Sequence, residues 1–128
     1  MLPDYIKTLL APYFPEIDVE DIRIREGIPW YVPMNAAAYT DRNYIYFAPG
    51  GYAPDSLEGI AMIAHELAHC AQYKQYGTWR FRVLYAASWL VELWRHWSFD
   101  QAYSQNRFEV AARAVEERVF ADLSDWHI

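Results

Sequence analysis

The run His65-Glu66-Leu67-Ala68-His69 sets two imidazoles four residues apart, with a carboxylate directly after the first. On an α-helix, residues four apart lie on one face, one turn above the other. Two imidazoles held that way can reach one metal ion, and a glutamate beside them can take a proton from a water activated there. A shuffled chain of this composition contains such a run only about 0.01 times. His65, His69, Gln72 and Tyr76 form one polar stripe, with Ile60, Ile63, Leu67 and Ala71 opposite. The histidines thus lie off the middle of the main apolar face, where a structural histidine would be expected. We read His65 and His69 as metal ligands and Glu66 as a general base.

Catalytic zinc usually has three protein ligands and one open position. A third ligand must therefore come from elsewhere, and Glu109 in Asn106-Arg107-Phe108-Glu109-Val110-Ala111-Ala112 is the first choice. Glu116, two turns further on roughly the same face, is the second; Glu92 and Asp100 are weaker. A local reading competes for Glu109. Asn followed three residues later by Glu resembles a capping box, in which the glutamate bonds only its own helix's first amide.

His-Glu-Leu-Ala-His followed by Gln72, and then the Asn-x-x-Glu-x-x-Ala run, resembles the gluzincin-type HExxH metallopeptidases. It is particularly similar to the small zincin-like core domain associated with extracellular contractile injection systems. The Tyr44-Ile45-Tyr46-Phe47 strand fits too, since in that fold a strand borders the cleft beside the motif helix. The similarity spans roughly residues 39 to 116 and leaves the first 35 or so unaccounted for. It implies His65, His69 and Glu109 as zinc ligands, Glu66 as the general base, and peptide-bond hydrolysis as the activity.

Other residues invite a role and have a plainer one. Cys70 points about 100° away from His69 and reads as a small buried thiol. Tyr103 could donate to a developing oxyanion, but among eleven tyrosines packing is the better reading. His96 suits a helix C-terminus, where a cation meets the dipole favourably. His127 lies in the tail and has no chelating partner at helical spacing.

Around these residues the pattern predicts an α+β domain, a small antiparallel strand layer or hairpin before three main helices. A short helix is expected over residues 3 to 10, with Pro3 in its first turn and Pro12 and Pro15 after it. Asp21 to Arg25 alternates as a strand does. Pro29 and Pro33 break the next stretch into irregular or edge structure. Residues 36–39 and 44–48 flank the polar turn Thr40-Asp41-Arg42-Asn43, a hairpin signal. Asp55 or Ser56 can cap a helix that runs to about Tyr76 and stops at Gly77. Further helices are expected over residues 79–97 and 106–123. In the first of these, Val83, Leu84, Ala87, Leu90, Val91, Trp94 and Trp97 place apolar groups nearly all round, which predicts a helix buried in the core. Arg80, Arg82, Glu92 and Arg95 would then face solvent. The same stripe, if exposed, suggests a membrane surface or a partner helix, most plausibly a homodimer contact.

At 128 residues the chain is read as one domain, residues 1–128. An apolar share of 54%, with six Trp and eleven Tyr, excludes disorder. A net charge of −6 excludes a nucleic-acid surface. One cysteine forbids an internal disulfide and fits a reducing compartment. No signal peptide is evident in residues 1–10, and Val83 to Leu93 is too short to span a bilayer. A cytoplasmic zinc metallopeptidase acting on a peptide or protein is therefore expected, with an extended substrate adding to the Tyr44 to Ala48 strand. The alternative is a binding or assembly module of zincin-like fold that holds zinc with weak catalysis. A purely structural zinc site would have no need of Glu66.

Overall fold

The computed structural model describes residues 1–32 and 36–126, so Pro33 and His127, named above, lie outside the described residues. In chain order it contains α1 (Asp4–Leu10), β1 (Arg23–Glu26), β2 (Ala38–Asp41), β3 (Tyr44–Phe47), α2 (Leu57–Tyr76), α3 (Thr78–His96), α4 (Phe99–Ser104) and α5 (Arg107–Trp126). Single 3-10 turns at Ala11–Tyr13 and Val19–Asp21 join α1 to β1. The fold is α+β, as the pattern predicts. Asp21 belongs to the second 3-10 turn, so β1 begins two residues later than expected. The short helix α4 was not foreseen.

The three strands order as β1-β3-β2. β2 and β3 form the expected antiparallel hairpin, with Asp41 opposite Tyr44, so its turn is the two residues Arg42 and Asn43. Arg42 takes φ +58° there, a left-handed backbone that such short hairpin turns demand. β1 lies parallel to β3, with Ile24 opposite Ile45, so the sheet is mixed and not wholly antiparallel. The Asn43 side chain fixes that placement by donating to the Asp21 carbonyl at 2.7 Å. β3 is consequently the central strand, and both its edges are occupied. A peptide cannot extend the Tyr44 to Ala48 strand, which corrects the expectation above; among the described residues the free edges belong to β1 and β2.

Strand alternation sends Ile45 and Phe47 into the core and Tyr44 and Tyr46 to the other face. The core joins Ile6 and Leu10 of α1, Ile45 and Phe47 of β3, Ile63 and Leu67 of α2, and Ala112 and Val119 of α5. α2 runs through its middle. The Ser56 side chain caps this helix by accepting from Gly59 N at 2.9 Å. Gly59 is required, because a Cβ there would stand 1.7 Å from the Ala53 carbonyl oxygen. Gly77, at φ +83°, ends α2 and turns the chain into α3.

α3 departs from its expected burial. Its one buried residue is Phe81, which meets Tyr73 and Phe108 in a second, smaller cluster. Leu84 and Tyr85 pack against that cluster, while Val83, Leu90, Val91, Trp94 and Trp97 are exposed. Two of the four charged residues expected in solvent are instead engaged at lower exposure. Arg82 pairs with Asp41 of β2 at 2.6 Å, and Glu92 bonds both Arg95 and His96. An all-round apolar pattern records what a helix could bury, whereas burial needs neighbours on every side. Among the described residues, α3 has neighbours on one side only. No described helix is long and apolar enough to cross a membrane.

Candidate metal centre

α2 and α5 pack along each other, and the chemistry lies between them. His65 and His69 occupy successive turns of α2 with ring centroids 5.1 Å apart. Each presents Nε2 to one oxygen of α5: His65 Nε2 and His69 Nε2 both lie 3.0 Å from Glu109 Oε1. Ligands 2.0–2.2 Å from a tetrahedral zinc stand roughly 3.3 Å from one another, so each histidine already lies near ligand spacing from Glu109 Oε1. Glu66 completes the cluster. Ligand atoms of His65, Glu66 and His69 all fall within 4.8 Å of one another, a grouping that could hold a metal ion.

The capping-box reading of Glu109 does not hold. The Asn106 amide donates to the Tyr103 carbonyl at 3.2 Å, and the Asn106 side chain caps α5 by accepting from Phe108 N at 2.9 Å. The Glu109 carboxylate is left free to face α2, and it is buried. Its second oxygen accepts from the Tyr85 hydroxyl at 2.7 Å. Glu116, the second choice for a ligand, lies behind the site and accepts from His65 Nδ1 at 2.8 Å. Glu92 is taken by Arg95 and His96, and Asp100 is exposed at the start of α4.

Each histidine is oriented from its far side. Gln72 donates its amide to the Phe108 carbonyl at 3.0 Å, which turns its oxygen toward His69 Nδ1 at 2.8 Å. Both Nδ1 atoms are therefore donors, one to Gln72 and one to Glu116. A neutral ring then carries only a lone pair at Nε2. Two such lone pairs facing one carboxylate oxygen need either two additional protons or a cation between them. This donor set fits a divalent ion.

The surroundings favour positive charge on the rings. Burial pulls the His69 imidazolium down, but its hydrogen bond to Glu109 and the charges of Glu109 and Glu66 outweigh that, and its pKa is pushed up to about 9. His65 rises through the same balance. Burial raises Glu109, yet the hydrogen bonds from His65, His69 and Tyr85 hold it well below the carboxylate range. Glu66 is different. Burial raises it, and the two histidines only partly offset that. The Thr40 hydroxyl of β2 touches it weakly, at 3.4 Å from Oε2.

Sequence reasoning missed Tyr85 and Thr40. Neither has a spacing signal, because each reaches the site from another element. Gln72 was visible as a member of the polar stripe. Tyr103 lies near enough that, after burial, Glu109 and Glu66 both raise its hydroxyl pKa. Cys70 is buried and free, as expected.

Residues 1–77 match the family model of the eCIS core domain. The chain belongs to the eCIS core domain family. No curated protein and no solved structure matches it. The family match takes in α1 and β1, which the sequence resemblance had left out, and ends just after α2, at Gly77. His65, Glu66 and His69 thus belong to the matched part of this eCIS core domain, while Glu109, Tyr85 and Glu116 lie beyond it.

Proposed function

We propose that this eCIS core domain protein is a zinc-dependent metallopeptidase, with His65, His69 and Glu109 as ligands and Glu66 as general base. The observation that carries this reading is the convergence of two outward-anchored imidazoles on a single buried Glu109 oxygen. Zinc supplies Lewis acidity toward the scissile carbonyl and a nucleophilic water at neutral pH. The chain's own residues do the rest. Glu66 follows His65 by one position and so projects beside the ligand pair, not along it. Its raised pKa suits a group that accepts the proton of the attacking water and returns it to the leaving amine. β2, the edge strand beside Glu66, offers unpaired main-chain groups to an extended peptide.

The deciding experiment compares wild type with Glu66→Gln on a peptide library and a denatured protein. Zinc content should stay at one per chain in both, while cleavage falls by about 10² to 10⁴-fold in the variant. Equal cleavage by both proteins would refute the assignment of Glu66. A zinc-loaded wild type that cleaves nothing would favour the second reading, a zinc-holding binding or assembly module.

A further inference from the structure

The most exposed face of α3 is also its most apolar. Trp79, Val83, Ala87, Leu90, Trp94 and Trp97 fall within about 40° of one line along the helix at 3.6 residues per turn. From Val83 onward they repeat at intervals of four, three, four and three residues, the spacing of a helix that packs against another helix. Trp79 is 75% exposed, Val83 65%, Leu90 58%, Trp94 72% and Trp97 76%. Phe81 and Tyr85, on the opposite side, hold α3 to the body of the domain. Trp97 also takes φ +55°, a left-handed backbone rare for a bulky side chain. This conformation stands the ring beside Trp94, with centroids 5.3 Å apart.

We propose that this face is the interface of a two-fold symmetric homodimer, in which two α3 helices pack antiparallel about Leu90. Three considerations select a second copy of the chain. The first is area. Three tryptophans about three-quarters exposed present on the order of 400–500 Å². With Val83, Leu90 and Val91 the patch reaches roughly 800 Å², one partner's share of a standard interface and more than a monomer ordinarily displays.

The second is shape. Within the stretch that overlaps about Leu90, the face is small on one side, at Val83, Ala86 and Ala87, and bulky on the other, at Trp94 and Trp97, while Trp79 lies beyond the overlap. An antiparallel pair with its axis at Leu90 sets Trp94 over the partner's Ala86 and Trp97 against the partner's Val83. Large meets small along the seam, and the helices can approach to about 8–10 Å. A parallel pair would put Trp94 on Trp94 and leave a gap at the alanines.

The third is charge. A net charge of −6 opposes adsorption to anionic lipid. An interfacial membrane helix keeps a Lys- and Arg-rich face in water, whereas the reverse face of α3 is packed on Tyr73 and Phe108.

The test is the mass of the full chain in solution, by light scattering and sedimentation equilibrium from about 1 to 100 µM. The expected result is a dimer at twice 15.1 kDa. Leu90→Glu places two like charges against each other at the axis, and dimer affinity should fall by at least about 100-fold. Leu90→Lys should do the same. A mixture of the two variants should recover the dimer, because residue 90 then meets an opposite charge. Because Leu90 is 58% exposed and lies outside both core clusters of the described residues, helical circular dichroism should be little changed in both variants.

A monomer at 100 µM overturns the proposal. So does a dimer that survives Leu90→Glu, or a mixture that stays monomeric. Flotation of a monomeric wild type with phosphatidylcholine vesicles would assign the face to lipid instead. None of these outcomes depends on zinc or on Glu66.

Discussion

Tyr85 of α3 donates its hydroxyl hydrogen to Glu109 Oε2 at 2.7 Å, engaging the one carboxylate oxygen that the two histidines leave open. The candidate ligand is thus held from both sides, by α2 through Oε1 and by α3 through Oε2. Tyr85→Phe removes only that bond. Groups that orient a ligand typically contribute about 10 to 100-fold in metal affinity, and zinc affinity measured by chelator competition should fall within that range. Stability should change by only about 1 kcal/mol. Unchanged zinc affinity would show that Tyr85 merely packs.

Glu109 and Glu116 both touch His65, at different nitrogens, and they should behave differently. Glu109→Gln removes the charge that balances zinc, and binding should be lost at micromolar metal. Glu116→Gln keeps an acceptor for His65 Nδ1–H, so its effect should not exceed about 10 to 100-fold. Isothermal titration of the two variants side by side makes the comparison. The reverse order would transfer the ligand role to Glu116.

Removing the metal should lower the melting temperature. A ligand present at about 100 times its dissociation constant stabilises by roughly 2.7 kcal/mol, which in a domain of this size corresponds to several degrees. Thermal melts with and without EDTA should differ by that amount in wild type. They should coincide in a His65→Ala, His69→Ala double variant. A chelator effect that survives the double substitution would locate the metal elsewhere.

Gly59 should resist substitution more than any surface glycine. An alanine Cβ would lie 1.7 Å from the Ala53 carbonyl oxygen, so the backbone must move. Overpacking of this kind costs about 1–3 kcal/mol, and Gly59→Ala should unfold at correspondingly lower urea. A midpoint equal to wild type would mean that the Ser56 cap and the Ala53 turn yield without cost.

Cys70 should be inert in the folded protein. It is 4% exposed, and burial raises its thiol pKa above the ordinary value. An aromatic disulfide reagent should therefore modify it only as fast as the protein unfolds, and addition of denaturant should release one thiol at once. Immediate reaction in native buffer would contradict the packing of α2.

What the sequence made legible follows the range of its signals. The two histidines and Glu66 share one helix, so a spacing of four residues suffices to find them. Ser56 and Gly77, which bound that helix, are local signals as well. Glu109 was ambiguous, because Asn-x-x-Glu reads the same whether the glutamate caps its own helix or faces another. The choice depends on the unforeseen α4, whose Tyr103 carbonyl takes the Asn106 amide three residues on, and on α2 lying where the freed carboxylate meets it, which is a tertiary fact. The parallel pairing of β1 with β3 depends likewise on Asn43 reaching Asp21, 22 residues away. Composition misled only at α3, where a helix rich in tryptophan was expected inside and most of its apolar groups face out.

The 40 residues between His69 and Glu109 also impose an order in time. Ribosomes add about 5–20 residues per second, so His69 is polymerised roughly 2 to 8 seconds before its partner carboxylate. Through that interval the nascent chain already has both imidazoles but lacks α5, with the Ala112 and Val119 that help to close the core. A metal ion arriving then would meet a two-histidine hook with no Glu109 to complete the set. With the proposed ligand set, secure loading would wait for α5 to emerge.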